Sequence, residues 1–122
     1  MHRVLVVDDE RLVADTISLV FGRSGFDART AYSADEALTF ARDFQPNLLL
    51  CDVSMPGKDG LHLMKEISRE LPNCRILLLT GFYSNLATMQ KHVARLPRPV
   101  GILTKPCQPD VLLREATSLL AS

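Results

Sequence analysis

Three carboxylates, a hydroxyl and an ammonium share one kind of position in this chain: each stands where a short apolar run ends. Val4-Leu5-Val6-Val7 runs into Asp8-Asp9, and Leu48-Leu49-Leu50-Cys51 runs into Asp52. Ile76-Leu77-Leu78-Leu79 reaches Thr80, and Val100-Gly101-Ile102-Leu103-Thr104 reaches Lys105-Pro106. Carboxylates brought together repel, at about 4 kcal/mol for two unit charges about 4 Å apart at an effective dielectric of about 20. A divalent cation between them offsets that cost. Mg²⁺ suits such a site because it takes a few carboxylates, keeps several waters and leaves room for phosphate oxygens. A carboxylate beside the cation can also act as a nucleophile and form an acyl phosphate. Phosphoryl transfer then asks mainly for positioning and for neutral surroundings at the equatorial oxygens. Mg²⁺ can hold one of these, Lys105 a second and the Thr80 hydroxyl a third, with backbone amides around 52–56 and 80–82 completing a cradle.

These residues act together only if the fold makes their positions coincide. Short, continuously apolar runs between helical stretches read as strands of a parallel sheet covered on both faces. The pattern alternates strand and helix five times. Strands are expected at about Arg3–Asp8, Asp27–Tyr32, from Leu48 into Asp52, Arg75–Thr80 and Val100–Thr104. The second has few apolar residues and is placed at an edge. A helix over Arg11–Ser24 carries Leu12, Val13, Thr16, Ile17 and Val20 at helical spacing and is stopped by Gly25. Ser33-Ala34-Asp35-Glu36 has the spacing of a capping box and opens a helix to Phe44. Asp59 and Ser84 are expected to cap the third and fourth helices, with Met55–Gly60 as a turn-rich loop. Repeated right-handed strand–helix–strand units give an α/β, doubly wound, three-layer sandwich with strand order 2-1-3-4-5. Strands one and three then flank the switch point, setting Asp8, Asp9 and Asp52 side by side at the carboxyl edge.

With 122 residues, the chain is expected to form one domain spanning 1–122. Formal net charge is zero, which argues against nucleic acid or an anionic membrane as a partner through bulk charge. No apolar stretch approaches the roughly 20 residues that span a bilayer, and Met1-His2-Arg3 leads straight into a strand, without signal-peptide anatomy. Cys51, Cys74 and Cys107 lack the paired spacing of a zinc site and read as small apolar fillers in a reducing cytoplasm. His2, His62 and His92 are scattered and read as surface or half-buried, and Met64 and Met89 as core.

Taken together, Val6-Val7-Asp8-Asp9-Glu10, Leu50-Cys51-Asp52-Val53-Ser54-Met55-Pro56-Gly57-Lys58-Asp59-Gly60, Leu79-Thr80-Gly81 and Thr104-Lys105-Pro106 resemble the receiver domain of two-component response regulators. The resemblance covers Arg3–Leu120 and implies a flavodoxin-like fold. It implies that Asp52 accepts a phosphoryl group from a sensor histidine kinase or phosphotransfer protein. It also implies that Asp8, Asp9, Asp52 and the main-chain carbonyl of Ser54 hold Mg²⁺. Thr80 would follow the phosphoryl group as the switch hydroxyl, Lys105 would pair with it, and the Lys105-Pro106 peptide would be cis.

Two departures stand out. Many family members carry an aromatic three residues before the lysine, where this chain has Ile102, and Leu96-Pro97-Arg98-Pro99 stiffens the turn before the last strand. Phe82, two past the threonine, is expected to shield an acyl phosphate from water, and Phe82 or Tyr83 to stand in as the moving ring. The resulting expectation is a cytoplasmic, self-phosphorylating switch, not a turnover enzyme. Met1 reads as a genuine start, and if the chain is whole it would act on a downstream protein partner, without direct nucleic-acid or membrane contact. The rival is a receiver-shaped interaction module that docks without phosphorylation. A phosphatase of the Asp-x-Asp type is disfavoured because the second position is Ser54.

Overall fold

The computed structural model describes residues 1–53, 60–81 and 86–121. Strands β1 (Arg3–Val7), β2 (Asp27–Ala31), β3 (Leu48–Asp52), β4 (Arg75–Thr80) and β5 (Val100–Thr104) alternate with five helices. These are α1 (Arg11–Arg23), α2 (Ala34–Phe44), α3 (Gly60–Glu70), α4 (Leu86–Ala94) and α5 (Pro109–Ala121). The strands pair in parallel in the order β2-β1-β3-β4-β5, the order expected from the alternating strands and helices.

Strand periodicity divides the core cleanly, because successive side chains point to opposite faces. Val4, Val6, Leu48, Leu50, Leu77 and Leu79 pack under α1 and α5, against Ala14, Phe21, Leu112, Ala116 and Leu119. Leu5, Val7, Leu49, Cys51, Ile76 and Leu78 pack on the other side, against the alanines of α2, Leu63, Met64 and Ile67 of α3, and Met89 of α4. Helices thus cover both faces, which explains why the strands read as unbroken apolar runs. β2 lies at an edge, in keeping with its sparse apolar content.

The sequence reading of α1 needs correction. Leu12 is 81% exposed, and Thr16 is exposed as well. The face turned to the sheet is set by Ala14 and Phe21, with Ile17 half-buried beside them. Apolar residues occur nearly all round this helix, so spacing alone offers several stripes. The small Ala14 permits the close approach that selects one.

Local signals behave as their chemistry demands. Gly25 adopts φ +95°, a conformation that favours glycine, just after α1. Ser33 Oγ accepts from the Glu36 N–H at 3.1 Å. The Glu36 carboxylate accepts from the Tyr32 N–H at 3.4 Å, one residue earlier than in a reciprocal capping box. Cys51 and Cys74 are buried, Cys107 is half-buried, and none of the three is in a disulfide. Burial pushes the Cys74 thiol up to about 12, which keeps it protonated and inert. His2 and His62 are exposed and His92 is half-buried. The Met55–Pro56–Gly57–Lys58–Asp59 stretch and the Asp59 and Ser84 caps lie outside the described residues.

Candidate functional site

Each site residue is held by the end of the strand that precedes it. The Asp8 N–H donates to the Ala31 carbonyl at 3.2 Å, which extends the β1–β2 ladder one step past Val7. Asp52 closes β3 opposite Leu79 of β4, and the Val53 N–H donates to the Leu79 carbonyl at 3.0 Å. Thr80 ends β4 opposite Thr104 of β5. The Lys105 N–H then donates to the Thr80 carbonyl at 2.7 Å, and the Lys105-Pro106 peptide is cis.

This register brings the side chains together at the carboxyl edge. One oxygen from each of Asp8, Asp9 and Asp52 lies within 4.8 Å of the others. Asp8 and Asp52 are only 1% and 5% exposed, whereas Asp9 is open to solvent. Lys105 Nζ sits 3.1 Å from Asp8 Oδ2 and 3.1 Å from Asp52 Oδ2, so one ammonium bridges the two buried acids. The other Asp8 oxygen accepts from the Glu10 N–H at 3.0 Å. Both Asp8 oxygens are therefore committed, and the carboxylate has a fixed orientation. Burial pulls the Lys105 pKa down, but the hydrogen bonds and charges of Asp52 and Asp8 together outweigh it, and the net shift is upward. Lys105 stays cationic, and among the described residues one ammonium beside three carboxylates leaves the pocket net negative.

Thr80 is fully buried at the same edge, one step beyond the Leu79–Asp52 pair. Ser54, expected to offer a carbonyl, and Phe82 and Tyr83, expected to shield or to move, lie outside the described residues. Ile102, in the position where an aromatic was noted as usual, is half-buried against the Met89-containing core, together with Val93.

Two contributors escaped the sequence reading. The Glu10 amide that holds Asp8 belongs to an Asx-type turn, which an aspartate just before a helix often forms. Gly60 opens α3 so close to β3 that a Cβ there would lie 2.7 Å from Val53 Cα and collide with the Asp52 carbonyl. A glycine at the start of an amphipathic helix, a poor helix former in a helical place, is the available signal. Beside Lys105, a cavity of about 540 Å³ opens between α1 and the β5–α5 connection, lined by Val13, Ile17, Pro106 and Cys107.

The sequence matches the response regulator receiver domain family over residues 4–117. The chain belongs to that family. Chemotaxis protein CheY4 of Vibrio cholerae superposes on this receiver with a TM-score of 0.87 at 26% identity, each chain covered to 98%. The receiver domain of NtrX from Brucella abortus gives a TM-score of 0.87 at 30% identity, again with 98% of both chains covered. Against a longer NtrX chain from the same organism, at 30% identity and a TM-score of 0.88, 98% of this receiver aligns with 27% of that chain. In this receiver the pocket of Asp8, Asp9 and Asp52 is consistent with a phosphoacceptor site.

Proposed function

We propose that residues 1–122 form one receiver unit in which Asp52 accepts a phosphoryl group from a sensor histidine kinase or a phosphotransfer protein. The observation that carries this reading is the single ammonium held 3.1 Å from both Asp8 and Asp52 at a three-carboxylate edge. A docking module would have no use for that arrangement, which concentrates charge in a buried place at a cost.

A set of three carboxylates, two of them buried, fits a hard divalent cation with oxygen ligands. Asp8, Asp9 and Asp52 would hold Mg²⁺, with the Ser54 carbonyl as a further ligand, and the ion would neutralise charge on the transferring phosphoryl oxygens. A carboxylate oxygen of Asp52 attacks phosphorus in line with the departing imidazole. The P–N bond of the donor breaks toward nitrogen, a P–O bond to Asp52 forms, and the released imidazole takes its proton from solvent. Lys105 already points its ammonium at Asp52 and pairs with the developing charge without a large search. Thr80, buried at the end of β4, donates its hydroxyl to a phosphoryl oxygen. Attack by water at phosphorus later restores Asp52, so both half-reactions are the receiver's own and no external metabolite turns over.

The cavity beside Lys105 offers the phosphodonor an apolar foothold next to the acceptor. Three cysteines outside any disulfide fit a cytoplasmic setting. Among the described residues no helix is long and apolar enough to cross a membrane. Zero formal charge favours a protein as the downstream partner over nucleic acid or an anionic membrane.

Phosphotransfer from a labelled kinase, run with and without Mg²⁺, tests the assignment. Asp52→Asn is expected to take no label, and chelation is expected to stop labelling of the parent chain. Equal labelling of the parent and Asp52→Asn would remove Asp52 as the acceptor.

A further inference from the structure

The outer edge of β2 has a geometry of its own. The Asp27 N–H donates inward to the His2 carbonyl at 2.9 Å, and the Ala31 carbonyl accepts from the Asp8 N–H at 3.2 Å. Backbone polar groups alternate sides along a strand, so Asp27, Arg29 and Ala31 turn theirs toward β1. Ala28 and Thr30 turn theirs outward, where no described strand pairs with them. The two charges on the edge cancel: Arg29 Nε lies 2.9 Å from Asp27 Oδ1. An edge so neutralised, and without proline or lysine, lacks the usual protection against pairing with another chain.

Space exists for such pairing. A groove of about 710 Å³ follows the edge, bordered by Ser18, Leu19 and Gly22 of α1 and Phe40 of α2. Leu19 is 54% exposed, and a Cβ added at Gly22 would meet nothing within 4 Å.

We propose that this edge is a self-association surface on which β2 of a second copy pairs antiparallel, joining two five-stranded sheets into one. Charge selects both the occupant and the register. With Ala28 opposite the second copy's Ala28, the two residues exchange both N–H···O=C bonds. Asp27 then faces the second copy's Arg29 and Arg29 faces its Asp27, in the adjacent positions where side chains approach more closely. A slip of two residues one way sets Arg29 against Arg29, and the other way sets Asp27 against Asp27. Both put like charges opposite each other, which is unfavourable. Opposite charges at i and i+2 about an outward-facing Ala28 are self-complementary under a two-fold axis, as an isologous interface requires. The antiparallel arrangement directs the two acidic pockets to opposite ends and leaves both open, so the surface stands independently of the chemistry proposed for Asp52.

Sedimentation equilibrium of the whole chain over a range of concentrations, with thermal melts to confirm folding, tests the surface. Arg29→Asp and Asp27→Arg should each weaken dimerisation by about tenfold or more, because each creates two symmetry-related like-charge pairs. The double variant Asp27→Arg/Arg29→Asp should return to within about threefold of the parent, since the charges are swapped, not lost. Hydrogen exchange gives a second readout. The Ala28 and Thr30 amides should gain protection as the parent is concentrated and stay fast in Arg29→Asp. A chain monomeric at about 1 mM, or a dimer that neither single change weakens, overturns the proposal.

Discussion

β3 and β5 lie two places apart in one sheet and are held to different depths. Every residue of β3 is buried, and β4 is buried apart from Arg75. β5 buries only Gly101 fully. Beside it, α4 contributes Met89 to the core, with Val93 packed against it half-buried. The acids stand on the deep side, following β1 and ending β3. Lys105 stands on the shallow side yet is tied to the deep one by its backbone bond to Thr80 and its ion pairs to Asp8 and Asp52. A reacting group benefits from rigid support, whereas an element that must respond is better drawn from the weakly packed part of a fold. Under the function proposed above, Lys105 is the point at which a change of charge on Asp52 would pass from one region to the other.

The largest effect that would break this comparison is a pair of core truncations. Leu49→Ala removes a fully buried side chain from β3 and should cost about 3–4 kcal/mol. Ile102→Ala removes a half-buried one from β5 and should cost about 1–2 kcal/mol. Urea unfolding with unchanged slopes measures both. Equal costs would mean that the two strands are held alike.

Two glycines sharpen the same contrast with one chemical change. At Gly60 an added methyl runs into the backbone at the end of β3, the Asp52 carbonyl and Val53 Cα at 2.7 Å, and backbone there has nowhere to go. Gly60→Ala should cost about 2–3 kcal/mol and slow labelling of Asp52. At Gly101 the methyl meets side-chain ends, Leu77 Cδ1 at 2.8 Å, Leu119 Cδ1 at 3.0 Å and Glu115 Oε1 at 3.1 Å. Those ends can rotate away, and Gly101→Ala should cost about 1 kcal/mol. Comparable losses at the two sites would show β5 to be as unyielding as β3.

Much of this was legible from the chain, for identifiable reasons. Strands covered on both faces leave unbroken apolar runs, so the sites at their ends were marked as well. The sparse Asp27–Ala31 segment announced an edge because one side of it pairs with no described strand. The stripe of α1 was not legible, because Leu12, Val13 and Ile17 match helical spacing as well as Ala14 and Phe21 do. Only the distance to the sheet decides between them. The arrival of Lys105 at the same rim, across 97 positions from Asp8, followed from the strand order, but its bridging of Asp8 as well as Asp52 did not. Which oxygens an ammonium reaches depends on side-chain rotamers and distances that periodicity does not set.

A further stability effect concerns that bridge. In Lys105→Met a side chain of similar length remains, while Asp8 and Asp52 stay buried without their shared counter-charge. Removing one partner of a fully buried pair is costly. Here the lysine side chain is 26% exposed and the Glu10 amide still holds Asp8, which reduces the loss to about 1–2 kcal/mol without divalent cation. If carboxylate repulsion is what the ammonium offsets, Mg²⁺ should take over part of that task. Thermal unfolding with increasing Mg²⁺ should therefore stabilise Lys105→Met more than the parent, narrowing the gap between them. A gap that stays constant from zero to saturating Mg²⁺ would mean that Lys105 holds the β4–β5 end of the sheet by packing alone. Its role as the electrostatic link between the deep and shallow regions would then fail.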